Sequence, residues 1–386
     1  MRRPALKKGE AEMGALVRAG TMRRRAHRLV SLGRRLSLIA SSALAWMIAG
    51  IASPSAHALK FVAIQHHRHA DASMPPWKPG KLDLQPEEEL HIVGADVMDR
   101  MTLGWVERMR EAYPRLSVTM EARASGTGIP ALIDGRGDVA TIGREMLPAE
   151  EKAFIDKFGC KPFAIRVATG SVGSLGKTAA IVILVDKGNP IPGLTLAQLD
   201  AIYGTDRKRG EKTEIRTWGA LGLKGEWEKR PIHLYGLAAP NGIEAYFQAR
   251  VLEGGAYRPD IQFVKGSGFT HAFNVAVHDM AAKPGGLTYA TLANLEPNVR
   301  PVPLSENPRG PFLLPTTETV YEHAYPLSRS IYLYVNRPPG KPLEPKVEEF
   351  LKLVLSRQGQ EEVAKDGVYL PLTPSLVREE LAKLRN

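Results

Sequence analysis

The sequence predicts an α/β fold in which helices cover the faces of a parallel sheet. Three short apolar strands, Leu90–Gly94, Leu116–Met120 and Val139–Ile142, are separated by two helical patterns. A β-α-β-α-β order favours parallel strands, because each crossover helix returns the chain to the same edge of the sheet. Pro130, which follows a loop of small residues, marks the start of the second helix, since Pro loses no hydrogen bond in the first helical turn.

The same alternation continues along the chain. A strand and helix pattern recurs, with Asn241 and Glu244 in the spacing of a capping box and Gly204 as a helix terminator. The further predicted strands are Ala179–Val185, Pro231–Tyr235, Leu287–Ala290 and Ser330–Val335, and the further helices are Leu194–Gly204, Asn241–Leu252 and Pro345–Leu355.

Residues 1–58 are interpreted as a leader. Arg34-Arg35 precede an uncharged apolar run, Leu36–Ala52, and small residues at Ala56 and Ala58 form an A-x-A cleavage pattern. This order is typical of a secretory signal peptide cleaved near Ala58, which predicts a periplasmic product. An uncleaved anchor is the alternative, although the run is at the short limit for a membrane span. General secretion and twin-arginine export both remain open.

The net charge of +11 belongs mainly to this leader. Residues 1–58 contain eleven Lys or Arg and two Glu, which together supply nine of the net positive charges. The rest of the chain is nearly neutral and has no basic patch interleaved with aromatic residues, so nucleic acid is not predicted as a partner. Cys160 is the single cysteine, so no disulfide can form within one chain.

Residues 59–89 are predicted to be an irregular segment rich in His and Pro. His66-His67-Arg68-His69, with Asp71 beyond it, could collect a metal ion, and the following prolines stiffen the chain. A solvated tail is the alternative interpretation. We assign no metal site and no cofactor from this pattern.

The stretch Glu121–Met146 contains the pattern most relevant to function. Ser125-Gly126-Thr127 lead into a helix start, where the first N–H groups lack partners and carry partial positive charge. A Gly/Ser/Thr loop lets an anion approach such amides. Arg144 follows the strand Val139–Ile142 and could add a guanidinium. A small oxyanion site and an ordinary strand-to-helix turn are both compatible with this stretch.

A second glycine-rich stretch, Gly170–Thr178, resembles a phosphate-binding P-loop imperfectly. Gly176-Lys177-Thr178 match the end of the G-x-x-x-x-G-K-[ST] pattern, but Ser171 stands where its first glycine should be. The alternative is a flexible connection between two strands.

Taken together, several segments resemble a known family, the substrate-binding proteins of phosphate ABC importers, within the type II periplasmic binding proteins. The resemblance covers roughly residues 90–375 in the family's order. The matching segments are Gly94–Met98, Ala124–Ile129, Gly137–Arg144, Leu194–Gly204, Thr217–Gly222, Tyr325–Val335, Leu355–Gln360 and Gly367–Leu372.

This resemblance implies two lobes, each a mostly parallel sheet flanked by helices, with the ligand in the cleft between them. Lobe 1 would comprise residues 90–168 and 286–386, and lobe 2 residues 179–285. The glycine-rich segment 169–178 would be the first hinge crossing, where it is longer than is usual in the family. Hinge closure over the ligand is the implied motion.

The resemblance also implies which residues face the ligand. These positions are Val97, Met98, Ser125, Gly126, Thr127, Arg144, Asn241, Gly242 and Ile243. The family usually has a hydroxyl where Val97 stands, Gly-Arg where Gly236-Leu237 stand, and Ser-Gly-Thr where Asn241-Gly242-Ile243 stand. One arginine and up to three hydroxyl donors are therefore missing. Lys265, His271 and Asn274 lie nearby in the sequence and are candidates to replace them.

Our first hypothesis is a monomeric solute-binding protein that captures phosphate or a related small oxyanion for an ABC permease. The altered second half of the site leaves open a different ligand, or a periplasmic sensor or scaffold outside transport. An enzyme is not predicted, because the sequence contains no nucleophile–base set, HExxH helix or GxSxG elbow.

Overall fold

The computed structural model describes residues 66–265 and 269–385, which are built around two five-stranded sheets. The predicted leader, residues 1–58, lies outside the described residues. In chain order the strands are β1 (Glu89–Gly94), β2 (Ser117–Ala122), β3 (Val139–Ile142), β4 (Phe163–Thr169), β5 (Val182–Asp186), β6 (Leu194–Thr195), β7 (His233–Leu237), β8 (Gln262–Val264), β9 (Gly286–Ala290), β10 (Val299–Val302), β11 (Leu304–Ser305) and β12 (Ser330–Val335).

Helices cover both sheets. In chain order they are α1 (Asp99–Ala112), α2 (Gly128–Ile133), α3 (Pro148–Phe158), α4 (Leu196–Tyr203), α5 (Gly242–Val251), α6 (Phe269–Ala281), α7 (Thr317–Tyr321), α8 (Pro345–Val354), α9 (Arg357–Asp366) and α10 (Pro374–Leu384). Short 3₁₀ turns precede α1 and α2, at Asp96–Met98 and Ser125–Thr127.

Each sheet contains one reversed strand among parallel ones. The first sheet has the order β2-β1-β3-β12-β4, with β12 antiparallel to both neighbours. The second has the order β10-β5-β9-β7-β8, with β5 antiparallel to both neighbours. The prediction of a two-lobed α/β fold with mostly parallel sheets is therefore confirmed.

The first sheet is buried on both faces. Along β3 the side chain of Val139 packs into a cluster with α1, α8 and α9, whereas Ala140 and Ile142 pack into a smaller cluster with Phe154 of α3. Side chains that alternate between the two faces explain why this strand is apolar throughout. Trp105 of α1 lies at the centre of the larger cluster, and its indole N–H donates to the Gly359 carbonyl at 2.8 Å.

The second sheet encloses a separate core with an aromatic centre. The rings of Phe247 and Tyr289 stack with their centroids 4.2 Å apart, and Tyr203 meets Phe247 edge to face. Because a buried hydroxyl needs a partner, the Tyr203 O–H donates to the Leu287 carbonyl at 3.2 Å. Each lobe thus has its own core.

Two crossings join the lobes and contact each other. The first runs from β4 to β5 and the second from α7 to β12. The Gly170 N–H donates to the Arg329 carbonyl at 2.8 Å, and the Ile181 N–H donates to the Leu327 carbonyl at 3.1 Å. His323 lies beside the same junction, and burial lowers its pKa to about 4, so its ring is neutral at pH 7.

The structure corrects the predicted return to the first lobe. The sequence placed that return at residue 286, but β9 (Gly286–Ala290) pairs with β5 and β7 in the second sheet. The chain enters the first sheet again only at β12, which pairs with β3 and β4. A short apolar strand has the same pattern in either sheet, so its sequence cannot reveal its neighbours.

The described part of the His/Pro-rich segment, residues 66–88, contains no helix or strand and packs against the folded core. His66 is buried, and its Nε2 lies 2.6 Å from the Tyr369 carbonyl oxygen, whereas His69 is exposed and lies 3.5 Å from a Glu361 carboxylate oxygen. Among the described residues no group of three or more His, Cys, Asp or Glu is arranged to hold a metal ion. The buried His66 and the exposed His69 therefore contact different residues.

Candidate functional site

A cavity of about 540 Å³ lies between the two lobes. Its walls come from the ends of strands and the starts of helices in both lobes, and from the two crossings. We call it the cleft cavity, and it is lined by Asp96, Val97, Ala124, Ser125, Gly143, Arg144, Gly176, Lys177, Thr178, Pro240, Asn241, Gly242, Ile243 and Arg329.

The first lobe contributes a hydroxyl and a guanidinium. The Ser125 Oγ accepts a hydrogen bond from the Gly143 N–H at 3.2 Å, which leaves the serine O–H to donate into the cavity. The Arg144 guanidinium is held by two parallel bonds to the Glu150 carboxylate, at 2.8 and 2.6 Å. Such a two-pronged pair restricts the guanidinium to one orientation. Arg144 is thus positioned by Glu150 before any ligand arrives.

The second lobe contributes the start of α5. The Asn241 side-chain oxygen accepts from the Ile243 N–H at 2.9 Å and from the Glu244 N–H at 3.4 Å. This is an ordinary N-cap, so two of the first amides of the helix already have a partner. Gly242 comes next, and a Cβ there would lie 2.6 Å from Cδ of Arg144. The two lobes are therefore in close contact at this point.

The crossings contribute two further cations. The Lys177 ammonium donates to the Val97 carbonyl at 2.7 Å and lies 3.3 Å from a carboxylate oxygen of Asp366. Arg329 is almost completely buried, and its Nε donates to the Glu145 carboxylate at 3.0 Å. A buried guanidinium needs an ionised partner, because a buried charge without one is strongly destabilising.

The charges of the cleft cavity are balanced in pairs. The pairs are Arg144 with Glu150, Arg329 with Glu145, and Lys177 with Asp366. Asp96 adds one more carboxylate to the lining. An anion in this cavity would therefore be selected by directed hydrogen-bond donors rather than by excess positive charge.

The cleft cavity brings together six of the nine residues predicted to face the ligand. Those six are Val97, Ser125, Arg144, Asn241, Gly242 and Ile243. Met98 lies elsewhere, because its side chain is fully buried in the core of the first lobe and its N–H donates to the Ala95 carbonyl. Gly126 and Thr127 are outside the lining, and the Thr127 hydroxyl donates to the Ala124 carbonyl at 2.8 Å.

Three charged lining residues were not predicted, namely Asp96, Lys177 and Arg329. Lys177 was noticed only as part of an imperfect P-loop, and that interpretation is wrong, because the chain continues from Thr178 towards β5 and not into a helix. Arg329 was inside a matching segment, but no local pattern shows that a strand-preceding arginine is buried at a cleft. Lys265, His271 and Asn274, the suggested replacements, are absent from the described lining.

The two lobes, the paired crossings and the cavity between them define a two-lobed binding protein. A PBP superfamily domain matches residues 78–358. The phosphate-binding protein PstS of Pseudomonas aeruginosa is 36% identical over 294 residues, which covers 76% of this chain and 86% of the relative. PstS of Staphylococcus saprophyticus is 26% identical over 287 residues, which covers 72% of this chain and 80% of the relative.

Among solved structures, PstS from Borrelia burgdorferi aligns with 74% of this chain and 100% of its own, at 17% identity and a TM-score of 0.47. Because the family model matches most of the chain and the Pseudomonas aeruginosa relative is 36% identical, the chain belongs to the PBP superfamily, in the family of the phosphate-binding protein PstS. The resemblance seen in the sequence is thereby confirmed. In the part of the chain that the structure describes, no helix has the length and apolar character needed to cross a membrane.

Proposed function

We propose that this protein captures inorganic phosphate in the cleft cavity and delivers it to an ABC permease. The observation that carries the proposal is the placement of the Ser125 hydroxyl and the Arg144 guanidinium opposite the start of α5. Hydroxyl and guanidinium donors are groups that bind tetrahedral oxyanions. Relatives named phosphate-binding proteins cover most of the chain, which supports the same ligand.

Asp96 favours phosphate over sulfate. An ionised carboxylate can only accept hydrogen bonds, so it repels an anion that has no proton to donate. Phosphate retains at least one proton near neutral pH, whereas sulfate has none. A carboxylate in the cavity wall thus disfavours sulfate while it accepts a bond from hydrogen phosphate.

The rest of the proposal concerns where and how the protein acts. The leader pattern supports export to the periplasm, with cleavage near Ala58. There the closed, phosphate-loaded form would meet the permease as a monomer. The relatives are named as binding proteins, and we propose transport without catalysis.

The decisive experiment is isothermal titration of the mature protein with phosphate, sulfate and molybdate. We expect phosphate to bind and Arg144→Ala to weaken it by about 10- to 100-fold, the equivalent of one lost charged hydrogen bond. Arg136→Ala is the matched control, because that arginine is exposed and pairs with Asp134 outside the cavity. Its affinity should equal that of the wild type.

The titration also decides between transport and the alternatives. No heat and no thermal shift with any of the three anions would overturn the proposal and favour a sensor or scaffold that keeps the fold. Asp96→Asn should narrow the preference for phosphate over sulfate. If the two anions already bind equally in the wild type, Asp96 does not act as we propose.

A further inference from the structure

We infer that Lys177 is an anion-binding residue that the hinge supplies in place of the hydroxyl missing at Val97. The inference rests on the proposed function and identifies which donor completes that site. The sequence offered replacements only within the second lobe. The cleft cavity instead contains Lys177, which belongs to the first crossing.

Lys177 is carried by a closed loop. The Ser171 N–H donates to the Thr178 carbonyl at 2.8 Å, and the Ala180 N–H donates to the Ser171 carbonyl at 2.9 Å. We call residues 171–180 the hinge loop. Gly176 has a φ of +71°, a conformation that glycine adopts without strain, and it directs the chain into Lys177. The hinge loop, which is longer than is usual in the family, is thus closed by its own backbone hydrogen bonds.

The hinge loop is also anchored to the first lobe. The Thr178 N–H donates to the Tyr369 hydroxyl at 3.2 Å, and the Lys177 ammonium lies 5.1 Å from the centre of the same ring. A cation near an aromatic face is attracted by the ring's quadrupole. The ammonium is therefore held at the cavity wall even though the lysine stem is flexible.

One donor of this ammonium remains for a ligand. Lysine has three N–H groups. Within the described residues its two hydrogen-bond acceptors are the Val97 carbonyl and Asp366. The side chain is 22% exposed and lines the cleft cavity. The third N–H can thus donate to an oxyanion without breaking either existing bond.

The ammonium lies next to the residue at which the hydroxyl is missing. Its nitrogen is 2.7 Å from the carbonyl oxygen of Val97, the residue that stands where the family usually has a hydroxyl. The valine side chain itself is packed against Gly143, since a Cβ at residue 143 would lie 2.2 Å from a Val97 methyl. The Val97 side chain thus forms part of the cavity wall, and the neighbouring Lys177 ammonium provides a hydrogen-bond donor.

The other two cations of the cavity differ from Lys177. Arg144 and Arg329 are each fixed by a carboxylate, and Arg329 is almost completely buried. Lys177 alone among the three described lining cations combines a flexible stem with a longer, weaker contact to its carboxylate, at 3.3 Å. It is therefore the least tightly paired of the three. Because it sits on a crossing, ligand binding would act directly on the hinge.

Phosphate titration of Lys177→Met in the mature protein tests this inference. We expect a 10- to 100-fold weaker affinity, the equivalent of one lost charge-assisted hydrogen bond. Lys187→Met is the matched control, because the Lys187 ammonium also donates to a backbone carbonyl, that of Pro297, but lies outside the cavity. Val97→Thr in the Lys177→Met background should recover part of the loss by restoring the hydroxyl.

A second measurement uses the unaltered protein. Phosphate should slow the acetylation of Lys177 by an amine-reactive reagent, read by peptide mass spectrometry, and leave Lys187 unchanged. Wild-type affinity in Lys177→Met, or equal labelling of Lys177 with and without phosphate, would overturn the inference alone. A wild-type protein that binds no phosphate would instead overturn the proposed function, and this inference with it.

Discussion

The two lobes share one sheet topology but carry different side chains where they face each other. Strand order β2-β1-β3-β12-β4 in the first lobe corresponds to β8-β7-β9-β5-β10 in the second, with the reversed strand at the same place. In both, the reversed strand is the one that arrives directly from the other lobe. Helix α5 therefore occupies in the second lobe the place that α1 occupies in the first.

The edges of the two lobes that face the cleft cavity carry different side chains. The first lobe presents Asp96, Ser125 and Arg144 to the cleft cavity, whereas the second presents the uncharged run from Pro240 to Ile243. The two other lining cations, Lys177 and Arg329, come from the crossings, and both are paired with carboxylates of the first lobe. The fold therefore sets which positions face the cavity, and the individual side chains set which of those positions carry a charge or a hydroxyl.

The largest expected effect comes from replacing either of two buried arginines. Arg329 and Arg258 are each only 2% exposed. Arg258 donates to the Ile202 and Ile215 carbonyls and to the Asp260 carboxylate, and it does not line the cleft cavity. Because each replacement removes the hydrogen bonds of a buried guanidinium and leaves their acceptors unpaired, Arg329→Met and Arg258→Met should each lower the free energy of unfolding in urea by about 3 kcal/mol.

Phosphate titration then distinguishes these two variants. Only Arg329→Met should also lose affinity, since only that guanidinium belongs to a residue that lines the cleft cavity. An equal loss in Arg258→Met would mean that the second lobe contributes to binding through its interior, which would contradict the asymmetry described here.

A smaller effect is expected from glycine substitutions at the two facing helix starts. Gly242→Ala places a Cβ 2.6 Å from Cδ of Arg144, which is held by Glu150 and cannot move away without weakening that pair. We expect roughly tenfold weaker phosphate binding, the equivalent of about 1.4 kcal/mol. Thermal unfolding should change little, because alanine is the better helix former.

Gly126→Ala is the matched control for that substitution. A Cβ at Gly126 has no atom within 4 Å among the described residues, and the residue is exposed. Affinity should therefore be unchanged. A loss at Gly126 equal to that at Gly242 would restore the original prediction that Gly126 faces the ligand.

The smallest effect concerns the helix caps. Asn241→Ala removes the N-cap of α5 and Thr195→Ala removes that of α4, which lies outside the cleft cavity. Each should lower the free energy of unfolding by about 1 kcal/mol. Phosphate affinity should hold in both, because the Asn241 oxygen is already used by its own helix. A strong loss in Asn241→Ala alone would show that its amide contacts the ligand.

Much of the fold could be predicted because its signals are local. The β-α-β-α-β order of the first lobe, the Thr195 cap of α4 and the Pro345 start of α8 all depend on residues a few positions apart. Helices α3, α6, α7, α9 and α10 were not predicted. Of these, α3 and α9 begin in the ordinary way, with Pro148 and with Ser356 as the cap, but both are rich in charged residues. An amphipathic pattern with few apolar residues is a weak signal.

The site was predictable only in part, for a related reason. Ser125 and Arg144 lie within one short stretch, so a motif could point to both. Met98 also lies in a segment that matches the family, Gly94–Met98. The 3₁₀ turn that precedes α1 nevertheless directs its side chain into the core. Arg329 lies 184 residues from Glu145 in the sequence, and no local pattern records that pairing.

The sequence alone determined the class of fold and the family, and it indicated two residues of the first lobe, Ser125 and Arg144, that line the cleft cavity, because each depends on local patterns or on ordered motifs. Only the tertiary structure decided that β9 belongs to the second sheet, that three cations are paired in advance with carboxylates, and that Lys177 reaches the cleft. These are contacts between distant parts of the chain, and packing of the two lobes and their crossings creates them.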